Sequence, residues 1–178
     1  MRKKLLAISG STRENSTSGA ILKKIGQLYG EILEVQLYTR IDRLPYFNPD
    51  LDRQGVEPAS EVSAFRGLIG DADAVIICTP EYVFSLPGVL KNALEWTVST
   101  TVFSYKPFAF IVASASGEKA FESLDLVMKT LLQVPIEDSR KLLIRGGRGK
   151  VNEAGELADE NTVEEIKRIM EALINQIG

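Results

Sequence analysis

Apolar and polar positions along the chain switch repeatedly between two patterns. Short apolar runs of the kind that form buried strands are followed by stretches with apolar residues at helical spacing. Lys4 to Ser9 predicts a first strand, and Ile21, Leu22, Ile25 and Leu28 mark one face of a helix over Ser18 to Tyr29. Ile32 to Tyr38 alternates as a second strand, and Ala59 to Ile69 predicts a helix ahead of a third strand, Ala74 to Thr79. A third helix is expected over Leu86 to Val98, with Pro87 near its first turn, where the missing N–H costs nothing. Phe108 to Ala113 reads as a fourth strand. Ala120 to Gln133 follows as a helix whose apolar face carries Leu124, Val127, Met128, Leu131 and Leu132. Val134 to Ile136 and Leu142 to Ile144 predict a split fifth strand, and Glu160 to Ile177 closes as a helix.

Strands alternating with helices imply an α/β fold: a doubly wound five-stranded parallel sheet with helices on both faces. The expected strand order is the flavodoxin-like 2-1-3-4-5, within a single domain over residues 1–178. That order places the switch point between the first and third strands, and open α/β sheets bind ligands beyond the carboxyl ends of the strands there. The connection from Thr39 to Pro58, with Pro45, Pro49 and Pro58, has a length usual for loops that are functional, mobile or oligomer-forming.

Composition narrows the chemistry. The 178 residues contain no histidine and one cysteine, which removes Ser-His-Asp and Cys-His nucleophilic sites, imidazole metal sites and intrachain disulfides. Cys78 ends an apolar run and reads as a small buried hydrophobe. A net charge of −3 gives no ground for a nucleic acid or membrane partner, and no apolar run approaches a bilayer span. The basic Met1 to Lys4 precedes an apolar stretch too short for a signal segment, so a cytoplasmic location is expected. With so few reactive side chains, demanding chemistry falls to a bound cofactor.

Two loops carry the functional signal. Ser9 to Ser18, after the first strand, offers Ser11, Thr12, Ser16, Thr17, Ser18 and one guanidinium, Arg13, and feeds a helix N-terminus. Hydroxyls, free amides and a cation suit a phosphate monoester; the alternative is a capping segment with solvated hydroxyls. The loop matches neither the Walker A pattern nor G-x-G-x-x-G. Thr79 to Ser85, after the third strand, supplies Pro80, Glu81, Tyr82 and Phe84, aromatic surfaces and polar groups suited to a flat heterocycle. Trp96, further along, reads as packing. A third loop, Ala113 to Glu118, has side chains small enough for close backbone approach to a ring. The run Gly146 to Lys150 reads as a turn rather than an RNA-binding element.

These residues resemble the NAD(P)H-dependent FMN reductases of flavodoxin-like fold, a family that includes quinone, azo-dye and chromate reductases. Gly10-Ser-Thr-Arg13 with Ser16 resembles the family's phosphate loop, G-S-x-R-x-x-S. Thr79-Pro-Glu-Tyr82 with Ser85, Pro87-Gly88 and Leu90 to Trp96 resembles its isoalloxazine loop and the helix beyond. Leu44 to Asp52 and Gly155 to Asp159 are similar to further family segments, so the likeness spans nearly the whole chain. The chain departs from the pattern at Val83 and Ser18, where the family usually has asparagine. It departs again at Glu118 to Phe121, where a Gly-Gly is common.

The resemblance implies FMN as cofactor, with Ser11, Arg13, Ser16, Thr17 and Ser18 on its phosphate. Pro80, Glu81, Tyr82, Val83 and Phe84 would lie along its ring, with Ser114, Ser116 and Gly117 at the other edge. It implies NADPH or NADH as co-substrate, a quinone, free flavin or similar small molecule as acceptor, and a homodimer or homotetramer. No catalytic side chain is assigned, Glu81 and Tyr82 being positional candidates only. The residues also admit two other readings: an FMN electron carrier with little NAD(P)H activity, and a flavin-free interaction module on the same fold.

Overall fold

The computed structural model describes residues 1–177. Five strands, β1 (Lys3–Ser9), β2 (Leu33–Tyr38), β3 (Ala74–Thr79), β4 (Phe108–Ser114) and β5 (Lys141–Arg145), form one sheet in the order β2-β1-β3-β4-β5. Every pairing is parallel. Leu5 aligns with Ala74 across β1 and β3, and Val75 with Phe108 across β3 and β4. The helices are α1 (Thr17–Tyr29), α2 (Ser60–Asp71), α3 (Gly88–Glu95), α4 (Glu118–Leu132) and α5 (Glu160–Ile177).

The apolar runs form strands because both faces of the sheet are covered. All six residues of β3 are buried. Alternate residues serve two cores: Leu6, Ile8, Val75, Ile77, Phe108 and Phe110 face α2, α3 and α4. Leu5, Ala7, Ala74, Ile76, Ala109 and Ile111 face α1 and α5. The expected sheet order and topology are those observed.

Two elements differ from the expectation. Val134 to Ile136 is not a strand, and β5 is Lys141–Arg145 alone. Gln133 ends α4 in the left-handed conformation at φ 62°, so the chain reverses before Val134, and Ile136 fills the core from a loop. A 3-10 turn, Asp138–Arg140, then delivers Lys141 to pair with Phe110. The third helix is also shorter than expected. It starts at Gly88, with Pro87 as its cap, and unwinds after Glu95 into successive turns through Thr100.

The long connection 39–58 is pinned rather than loose. Asn92 accepts from Phe47 N at 2.7 Å and donates to Pro45 O at 2.9 Å. Trp96, buried, donates Nε1–H to the same Pro45 carbonyl at 2.8 Å and meets the Phe47 ring edge-on at 5.2 Å. Arg66 of α2 pairs with Asp52 and donates Nε–H to Trp96 O at 2.7 Å. At the far end, Asp159 caps α5. It accepts from Thr162 N and Oγ1 and from Lys150 Nζ, and these bonds hold its carboxyl down at about 2, from the ordinary 3.8.

Two outcomes follow from these ties. Trp96→Phe should cost about 1–3 kcal/mol, read as a lower urea midpoint, and speed proteolysis within 44–52. Asp159 has a depressed pKa, so its stabilisation is complete above the ordinary carboxylate value and is lost as pH falls toward 2. Asp159→Asn should remove that part of the acid limb when unfolding is followed from pH 5 to pH 2; an unchanged acid limb would refute the assignment.

Candidate functional site

Just past the end of β1, the bare backbone of Gly10 packs directly on the side chain of Thr79, the last residue of β3. Gly10 N donates to Cys78 O at 2.8 Å, and a Cβ on Gly10 would stand 2.6 Å from Thr79 Cβ. Only glycine fits, so the loops after β1 and β3 begin side by side. Cys78 sits directly beneath. Burial pushes its thiol up to about 12 and leaves it inert.

The first loop folds on its own hydroxyls. Ser9 Oγ donates to Ser11 O at 3.1 Å, and Ser11 Oγ accepts from Arg13 N at 3.3 Å. Ser16 caps α1 by accepting from Gly19 N at 3.0 Å, which leaves the Thr17 and Ser18 amides ahead of the first intrahelical bonds. Ser18 Oγ is buried with no hydrogen-bond partner of good geometry. Thr17 Oγ1 donates at 3.4 Å to Gly147 O, in the turn that follows β5.

The second loop is a tight two-residue turn. Tyr82 and Ser85 exchange backbone bonds at 3.0 and 3.1 Å, and Val83 and Phe84 between them have φ of 51° and 56°. Positive φ at both central positions is the type I′ arrangement, which favours Asn-Gly. A β-branched valine there costs about 1–2 kcal/mol. Both side chains stand in solvent, Val83 at 95% and Phe84 at 78% exposure. Asparagine, the residue the resembled family usually carries at this place, tolerates the left-handed region; valine does not.

Glu81 ties the second loop to the third. Its carboxylate accepts from Ala120 N at 2.9 Å and from Ser116 Oγ at 3.3 Å. It therefore meets the positive end of α4, which occupies it structurally. Gly117 turns into α4 at φ 97°, where a Cβ would stand 2.7 Å from Leu143 Cδ1.

A cavity of about 430 Å³ opens between these loops. Of the residues singled out in the sequence, Ser11, Arg13, Ser16, Thr17, Ser18, Pro80, Glu81, Tyr82 and Ser114 line it. Val83 and Phe84 do not; the turn aims them outward. Ser116 reaches the site through Glu81, and Gly117 is buried beneath it. Ala113 and Ala115, in the third loop expected to bring its backbone close to a ring, also line the cavity, as do Gly146 and Arg148, which were not anticipated. The two alanines carry no side-chain signal. Arg148 lay in a glycine-rich run whose one clue was its position after the last strand.

The residues present fit a flavin mononucleotide. One end offers hydroxyls, helix N-terminal amides, an unpartnered buried hydroxyl and guanidinium groups, a donor set matched to a phosphate. The other end offers Pro80, Tyr82 and the backbone of Ala113 to Ala115, a slot for a flat ring. Fold and site together define a flavodoxin-like flavin-binding protein.

The model of the family described as NADPH-dependent FMN reductase matches residues 3–138. An NAD(P)H-dependent FMN reductase of Pseudomonas aeruginosa is 33% identical, covering 96% of this chain and 92% of that protein. A 2-hydroxy-1,4-benzoquinone reductase of a Burkholderia species is 28% identical over 96% of this chain and 94% of its own. Among solved structures, the flavoenzyme NAD(P)H:(acceptor) oxidoreductase FerB of Paracoccus denitrificans superposes with a TM-score of 0.74 at 26% identity, covering 98% and 97% of the two chains. The chain belongs to the NADPH-dependent FMN reductase family. It is an oxidoreductase with FMN as cofactor and NAD(P)H as co-substrate.

Relief of the strained turn is measurable. Val83→Asn should raise stability by about 1 kcal/mol, a Tm increase of a few degrees by calorimetry. A Tm at or below that of the unaltered protein would show that the turn holds no strain at Val83.

Proposed function

We propose that the cavity at the β1/β3 switch point holds FMN phosphate-end down and ring outward. There it serves electron transfer from NAD(P)H to a quinone, free flavin or similar small acceptor. The observation that carries this reading is the convergence of a phosphate-type loop and a ring-type loop on one cavity. When bound, FMN supplies the hydride-accepting and electron-donating chemistry. Ser11, Arg13, Ser16, Thr17 and Ser18 hold its phosphate, while Pro80, Glu81 and Tyr82 with Ser114 border its ring. Val83 and Phe84 frame the open side, where nicotinamide and acceptor take turns. Ser116 and Gly117 act indirectly, by fixing the loop that Glu81 ties down.

No side chain is assigned as a proton donor or base. Glu81 is committed to the α4 N-terminus, and the chain has no histidine. Hydride transfer between stacked rings depends on positioning, which the pinned loops provide. Exposed Tyr46, Leu51 and Val98 lie on the long connection and just beyond α3, and we assign this apolar surface to a homodimer or homotetramer contact. A small soluble acceptor, one domain over residues 1–178 and a cytoplasmic location complete the reading; the lone unpaired thiol suits a reducing compartment.

The test is a titration of flavin-free protein with FMN, followed by anaerobic addition of NADH or NADPH and then menadione. Saturable quenching of FMN fluorescence, bleaching of the flavin absorbance and its return on adding menadione are expected. Absence of FMN uptake would overturn the site assignment. Uptake without bleaching by either nucleotide would overturn the proposed electron route.

A further inference from the structure

The last residue of β5 and the turn after it carry three cations, and their partners differ. Arg145 Nε lies 2.8 Å from Glu118 Oε1, and Lys150 Nζ lies 2.9 Å from Asp159 Oδ2. Arg148, between them, is in no ion pair or hydrogen bond among the described residues; the same holds for the Arg13 side chain. Gly146, at φ 66°, turns the chain back over the carboxyl end of the sheet into the 3-10 turn Gly147–Lys150. The turn is fixed at both ends. Gly147 O accepts from Thr17 Oγ1 at the start of α1, and Lys150 is held by the cap of α5.

This fixing brings Arg148 to the cavity wall beside Thr17. A neighbouring cavity of about 320 Å³ is lined by Arg13, Thr17 and Arg148 as well. The two guanidiniums therefore share two adjoining cavities with the first residue of α1. The Ser18 hydroxyl, 1% exposed and without a partner, lines the main cavity with them. A phosphate monoester carries nearly two negative charges at neutral pH. Arg13 alone leaves that charge half matched, and a second unpaired guanidinium at the same end completes it.

We propose that Arg148 is a second phosphate-binding cation of the flavin site, acting on the FMN 5′-phosphate together with Arg13. The role rests on the reading of the cavity as an FMN site. It assigns a ligand to the one cation of the Gly146 to Lys150 run that the fold leaves unused.

The test compares FMN with riboflavin, which has the same ring system and no phosphate, by fluorescence titration of flavin-free protein. Arg148→Ala should weaken FMN binding about tenfold or more while changing riboflavin affinity less than about twofold. The FMN affinity of the variant should also depend less steeply on salt. Arg148→Lys should recover part of the loss. Circular dichroism and Tm of the variants should match the unaltered protein, because Arg148 makes no contact that holds the fold. Unchanged FMN affinity in Arg148→Ala would overturn the proposal. So would an equal loss for FMN and riboflavin, which would place Arg148 at the ring or in the packing. Failure of the unaltered protein to bind FMN is a different result: it removes the cofactor reading and this role with it.

Discussion

The contact of Gly10 with Thr79 is the constraint on which the site depends. Two adjacent parallel strands, β1 and β3, send their following helices to opposite faces of the sheet, and a crevice opens where they part. What makes the crevice usable is that Gly10 lacks a side chain. The backbone can then bond to Cys78 O, and the two loops start in register. Any Cβ there would wedge the loops apart and separate the phosphate-type donors from the ring-type slot. The inert, fully buried Cys78 and the orphaned Ser18 hydroxyl lie at this same junction.

Rigidity is distributed unevenly around that junction. Two wall residues are secured by bonds with no role in electron transfer, Glu81 to the α4 N-terminus and Thr17 to the turn after β5, and away from the wall Asn92 and Trp96 hold the long connection. The one part under strain is the Val83–Phe84 turn, and it faces solvent at the mouth. Strained, exposed apolar residues at a cavity mouth suit recognition rather than folding. A left-handed valine is a poor choice for stability, and its position beside Tyr82 offers apolar surface to whatever approaches the open face.

Much of this was legible in the sequence. Apolar runs separated by helical spacing dictated a parallel sheet, because only strands covered on both faces are apolar at every position. The Ser/Thr-rich loop with Arg13 and the Thr79 to Ser85 loop could be assigned to one crevice once the strand order was inferred. Three features were not legible. Val134 to Ile136 looks like a strand by composition, but a left-handed Gln133 turns it into a loop, and backbone reversal leaves no signature in hydrophobicity. Val83 could be noticed as a departure, yet the reason it matters, a positive φ, is a property of the folded turn. Arg148 is brought to the cavity by Gly146 and by the bond from Thr17, a long-range tie that no local pattern records.

The most direct measurement is a crystal structure of the FMN-bound protein. The expected density places the phosphate within hydrogen-bond distance of the Thr17 and Ser18 amides and the Arg13 guanidinium, with the ring between Pro80–Tyr82 and Ala113–Ala115. A phosphate bound away from the α1 N-terminus, or a ring outside that slot, would contradict the assignment of the β1/β3 crevice as the flavin site.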